Sequence, residues 1–173
     1  RPTVLDLHRQ LQQLGFMEML DYSESEYAVI QEWIDHERDF EYAHYQLHTH
    51  LTKYAIADRV KGVYYESPQF IYMRMAMALS VDPPRERRMR DVQRFYEHLS
   101  KNRINAPTPN HVNLGTPLRG YASCCLYTVG DNARSIAVGN HIANTMTYMS
   151  AGIGAHINTR SINDPVRGRS EEH

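Results

Sequence analysis

Cysteine is nearly absent: the 173-residue chain has two, Cys124 and Cys125, side by side. Two are too few for the disulfide framework of a small secreted domain, and neighbouring cysteines do not bridge each other without strain. A reducing, cytoplasmic setting is therefore expected. An excess of either charge is lacking too. With 19 Lys+Arg against 20 Asp+Glu the formal net charge is −1, which gives no long-range pull toward nucleic acid or an anionic membrane. Neither is expected as a partner. No apolar run approaches the roughly 20 residues that span a bilayer, and no basic-then-apolar leader opens the chain. The start at Arg1-Pro2, without Met, points to a cut or processed N-terminus. Internal repeats and low-complexity tracts are missing as well. What is present is apolar material for a core, 42% of residues including 12 Tyr and 8 Met, enough for one domain or two small ones.

The first hundred residues read as helices. Leu5, Leu7, Leu11 and Leu14 keep a rough helical spacing that stops at Gly15. Ser23 followed by Glu26 is a capping box opening a segment through Ile30 and Trp33. A further helix is expected over 40–53, and a small hairpin over 54–65, where β-formers flank Gly62. Ser67-Pro68 supplies a cap and first position for a buried helix, Phe70 to Leu79. Asp82-Pro83-Pro84 ends it, and 85–99 resumes as a helix with a charged outer face. After Ser100 the texture changes. Residues 106–110, with Pro107 and Pro109, predict a stiff extended loop. A β-rich run over 120–128, a helix through Ile136, Ile142 and Met149, and a short strand over 153–157 follow. Strand, helix, strand is the start of a parallel α/β arrangement.

Three groups of residues invite chemistry. Alternation on a strand points Cys124 and Cys125 to opposite faces, so one can line a cavity while the other packs; two buried structural thiols is the plainer reading. His44 and His48 share a helix face at a spacing that can hold zinc or copper, with Glu41 and His50 nearby. No carboxylate-rich signature completes such a site, so a solvated helix face is favoured and no metal is expected. Arg85, Arg87, Arg88 and Arg90 form a basic group that Glu86 and Asp91 interrupt, again favouring a solvated helix. Gly152-Ile153-Gly154 lacks both the dinucleotide fingerprint and the P-loop Lys-Ser/Thr.

Seven short motifs nonetheless fall in one order: Ile-Asp-His-Glu-Arg-Asp (34–39), Tyr-Glu-Ser-Pro-Gln-Phe (65–70), Pro-Thr-Pro (107–109), Ser-Cys (123–124), Gly-Asp (130–131), Ala-Gly-Ile-Gly (151–154) and Asp-Pro-Val-Arg-Gly (164–168). In that order and spacing the chain resembles the large, catalytic subunit of class I (aerobic) ribonucleotide reductases, from about Leu14 to Gly168. The resemblance implies an α+β fold: a helical N-terminal domain (1–100), then the first strand-helix-strand of an incomplete ten-stranded α/β barrel (101–168), and a tail (169–173) unlike the family.

It further implies that Cys124 is one half of the redox pair that reduces the substrate ribose. Thr108, Ser123, Ala151 and Gly152 would contact the ribonucleoside diphosphate substrate. Asp131 and Arg160 would hold a deoxynucleotide or ATP effector, the choice between Arg160 and its neighbours depending on a loop one residue longer in the family. Cys125 is outside the motif and is read as packing. No covalently bound cofactor is implied. The radical would come from a separate metal-containing small subunit, and the helix over 133–150 would face a second large subunit in a homodimer. The second thiol, the radical cysteine, the pair recycled by thioredoxin or glutaredoxin, and the ATP cone have no counterparts in this sequence. The chain is thus expected to be an excised region or half of a split subunit, inactive without the remainder of the large subunit, and prone to aggregate or pair. The rival reading is a non-catalytic helical interaction or nucleotide-binding module derived from the family.

Overall fold

The computed structural model describes residues 1–82, 84–149 and 151–163. They divide into two compact units, Arg1–Tyr121 and a second that begins at Ala122.

The first unit is helical. α1 (Val4–Gln13) starts where the Thr3 hydroxyl accepts the Asp6 N–H, and stops at Gly15, whose φ of 74° is left-handed. α2 (Glu24–Trp33) opens with the full Ser23/Glu26 capping box. α4 (Pro68–Leu79) is buried on nearly every face from Pro68 to Met77, and α5 (Arg85–Ser100) packs along it. Val4, Leu7, Leu11, Ile30, Ile71 and Val92 close the core between these helices. β1 (Ala57–Asp58) and β2 (Val63–Tyr64) form the expected antiparallel hairpin.

The structure departs from the sequence reading at four places. The helix expected over 40–53 is three short pieces: a 3-10 turn (His36–Glu41), α3 (His44–Thr49) and a π-helical turn (His50–Tyr54). Thr49 and Thr52 donate their hydroxyls back to the Tyr45 and His48 carbonyls at 2.9 and 2.7 Å, a competition that loosens a helical ladder. The stiff loop over 106–110 instead turns into α6 (Thr108–Asn113). Pro107 at the cap and Pro109 in the first turn are tolerated because backbone N–H groups there have no helical acceptor. Ser67 occupies the cap position of α4, yet its hydroxyl bonds nothing and is buried. The buried Asp39 carboxylate accepts the Gln69 N–H at 3.2 Å in its place. Finally, the compact units part between Tyr121 and Ala122, beyond the change of texture at Ser100.

A buried charge explains that shift. Arg74, on α4, meets Glu66 through two N–H···O bonds of 2.7 and 3.1 Å, both side chains having no solvent exposure. Its remaining donors reach the His111 carbonyl at 2.9 Å and the Leu114 carbonyl. Glu66 in turn accepts the Ile56 N–H at 2.8 Å. One guanidinium thus ties the hairpin, α4 and α6 together, so residues beyond 100 stay with the first unit.

The second unit is β3 (Cys124–Val129), α7 (Ala133–Tyr148) and β4 (Gly152–Ile157). The strands are parallel, from Cys124 opposite Gly152 to Val129 opposite Ile157. The Asn132 side chain caps α7 by accepting the Ser135 N–H at 2.8 Å. Gly139 backs the helix onto the strand: a Cβ there would lie 2.7 Å from Val129 Cγ2. The described part of the sheet is two strands wide and does not form a barrel. The motif at 164–168 and the tail at 169–173 lie outside the described residues.

Candidate functional site

The parallel register builds a small site at one end of the β3–β4 pair. Gly152 donates its N–H to the Ser123 carbonyl at 2.8 Å, which sets Cys124 beside the start of β4. A Cβ on Gly152 would be 3.2 Å from that carbonyl, a tight contact that glycine avoids, and 3.5 Å from Cys124 Sγ, at ordinary contact distance. Ser123 Oγ stands 3.8 Å from the same Sγ. Ala151 closes the helix-to-strand connection by donating its N–H to the Met146 carbonyl at 3.0 Å. Cys124 is exposed, whereas Cys125 is half-buried on the opposite face, the side carrying Tyr127 and Val129 toward α7. Neither thiol is sealed in a core, and Cys124 is the more open of the two.

Ser123, Cys124, Ala151 and Gly152 are therefore brought together. Thr108 belongs to the first unit, half-buried at the first position of α6, which Arg74 anchors through the His111 and Leu114 carbonyls. The two residues singled out for an effector also meet: Arg160 Nε donates to Asp131 Oδ2 at 2.7 Å, joining the segment after β4 to the turn that opens α7.

The His44 and His48 rings lie nearly parallel with centroids 6.4 Å apart. Among the described residues, no three His, Cys, Asp or Glu side chains converge as a metal site would need. Within the basic group, Arg85 faces Asp21 and Glu26, and Arg87 and Arg90 face Asp91. Arg88 is buried, donating to the Asp21 and Val81 carbonyls. No helix among the described residues is long and apolar enough to cross a membrane.

Sequence reasoning missed a polar cluster in the first unit. His50 donates from Nδ1 to the Gln46 carbonyl at 2.8 Å and accepts at Nε2 from the Tyr72 hydroxyl at 2.7 Å. Tyr54 stacks on His111 at 4.5 Å. Burial outweighs the hydrogen bond to the Pro107 carbonyl and pushes His111 down to about 4. Burial likewise pushes His8, whose Nδ1 lies 3.1 Å from the Tyr27 hydroxyl, down to about 3. The available signal was Arg74 itself, a lone cation inside the apolar run 70–79, which had to find a buried partner.

A family model described as "Ribonucleotide reductase, all-alpha domain" matches residues 40–119. Ribonucleoside-diphosphate reductase 1 subunit alpha of Escherichia coli (strain K12) is 35% identical over 154 residues, covering 88% of this chain and 20% of that protein. The alpha subunit of Enterobacteria phage T4 is 37% identical over 138 residues (79% and 18%). The large subunit of Ostreid herpesvirus 1 is 32% identical over 141 residues (82% and 16%). The chain belongs to the family of ribonucleotide reductase large subunits. It spans about a fifth of the length of the bacterial relatives it matches.

Proposed function

We propose that the chain supplies part of the active site and part of the effector site of a ribonucleoside-diphosphate reductase. The observation that carries this reading is the exposed Cys124 thiol set against the bare backbone of Gly152. Removing the 2′-hydroxyl of a ribonucleotide as water takes two electrons and two protons. A pair of thiols delivers both by closing to a disulfide, so that ribonucleoside diphosphate and two thiols give deoxyribonucleoside diphosphate, water and one disulfide. Cys124 is one of those thiols. The other, and the radical that opens the reaction, come from the remainder of the large subunit and from a separate metal-containing small subunit.

Ser123, Ala151 and Gly152 form the floor under the sugar, with Thr108 contributing from α6. Asp131 and Arg160 hold a deoxynucleotide or ATP effector, for which their ion pair must rearrange; in that role Arg160 meets phosphate and Asp131 a neutral hydrogen-bond donor. The helix α7 faces a second large subunit in a homodimer, the strands beside β3 and β4 complete the ten-stranded barrel, and thioredoxin or glutaredoxin regenerates the dithiol. The setting is the cytoplasm.

The test combines this chain with the remaining large-subunit sequence and a small subunit, and follows conversion of a ribonucleoside diphosphate. Deoxynucleotide should form, and Cys124→Ser should abolish it while Cys125→Ser leaves most of it. Turnover that survives Cys124→Ser sinks the assignment.

A further inference from the structure

The first unit contains a hollow of about 340 Å³ that shares Tyr54 with the cavity around His50. Its walls are apolar: Phe16, Ile56, Val112, Pro117 and Leu118 contribute, and the ring of Tyr54 forms one side. The backbone donors around it are occupied. Ala55 N–H goes to the His50 carbonyl, Ile56 N–H to Glu66, and Leu118 N–H to Thr116 Oγ1. Leu118, on its wall, is 59% exposed, so the hollow opens to solvent and an apolar body seated there takes apolar surface out of water.

Two cations line the same cavity. Lys53 Nζ lies over the Tyr54 ring at 5.8 Å, and Arg59 spends one donor on the Thr52 carbonyl at 2.9 Å, leaving the rest of its guanidinium. Among the described residues no carboxylate pairs with either. Several other exposed cations of the unit are paired: Arg9 with Glu24, Lys61 with Asp58, Arg85 with Asp21 and Arg119 with Glu18. An open, largely apolar hollow of ligand size, flanked by two exposed cations that no described carboxylate pairs, is complementary to an anion with an apolar body.

We propose that this cavity binds a small amphipathic organic anion, its apolar ring seated between Phe16, Ile56 and Val112 and its carboxylate or equivalent group between Lys53 and Arg59. The site is separate from the thiol and effector residues, and the proposal does not depend on their assignment. The cavity around His50 serves as an internal contrast, because no cationic side chain lines it.

The experiment titrates the whole chain with 2-naphthylacetate and, in parallel, with its uncharged amide, following backbone amide shifts by NMR and heat by calorimetry. The acid should saturate below millimolar concentration, bind about tenfold more tightly than the amide, and shift residues around Phe16, Ile56 and Val112. The double variant Lys53→Gln/Arg59→Gln should erase that tenfold preference. Leu118→Glu, at a position already exposed and so compatible with folding, should weaken the acid selectively by placing a competing anion at the cavity. Equal binding of acid and amide, shifts confined to other regions, or no saturation at millimolar concentration would each overturn the proposal.

Discussion

The two units solve the problem of holding a shape in opposite ways. In the first, α4 is sealed from Phe70 to Met77, and a buried ion pair, Arg74 with Glu66, is satisfied on nearly every donor by neighbouring carbonyls. In the second, Val129 and Gly139 are the only buried positions among the described residues. There Leu126 is 86% and Tyr148 90% exposed. Geometry at Cys124 is fixed by the strand ladder and a missing Cβ, not by a surrounding core. Packing and chemistry are thus assigned to different stretches of sequence, and changes in one should be felt differently from changes in the other.

The strongest way to break the comparison is Arg74→Met. It leaves the Glu66 carboxylate buried without a counter-charge, and breaking such pairs costs about 3–5 kcal/mol. Urea unfolding should show the first unit lost at neutral pH while hydrogen exchange on β3 and β4 changes little. Next in size, Ile30→Ala opens a void in a fully buried site at a cost of about 2–5 kcal/mol. The matching change in the second unit, Ile153→Ala on an exposed strand residue, should stay within about 0.5 kcal/mol. Equal losses in the two would erase the distinction.

Gly139→Val probes the contact that seats α7 on β3. It drives a side chain into Val129 and should cost about 1–3 kcal/mol, read as faster amide exchange along α7. The pH response should belong to the first unit. His8 and His111 titrate below their ordinary 6.5 when folded, so between about pH 6.5 and 4 the unfolded chain binds more protons than the folded one. Stability is complete above pH 6.5 and falls on acidification, by up to about 1.4 kcal/mol per pH unit for each ring. Urea midpoints at pH 7, 6 and 5 test this, and a flat profile would remove both histidines from the account. The smallest effect is kinetic: a thiol reagent should modify exposed Cys124 before half-buried Cys125.

Much of this was legible in the residues. The capping box at Ser23 and the stop at Gly15 are local signals, read from hydrogen-bonding chemistry within three or four positions. The parallel pairing of 124–129 with 152–157 followed from a strand, a helix and a strand in succession. The order of short motifs exposed the family and gathered Ser123, Cys124, Ala151 and Gly152 before any geometry was known. What stayed hidden depends on partners distant in sequence. The bond from His50 to Tyr72 joins residues 22 apart, and the capture of residues 101–121 by the first unit answers to Arg74. The Asp131–Arg160 contact spans 29 positions, and no periodicity encodes it.

Arg74 also constrains the order in which the chain can mature. The Leu114 carbonyl it binds is 40 residues downstream. Synthesis at about 5–20 residues per second therefore leaves about 2–8 seconds during which α4 has been made and the last acceptor for its charge has not. Over that interval the guanidinium already has its Glu66 partner, eight residues upstream, and lacks only the carbonyls of His111 and Leu114. Chain elongation sets when the last of its acceptors arrives.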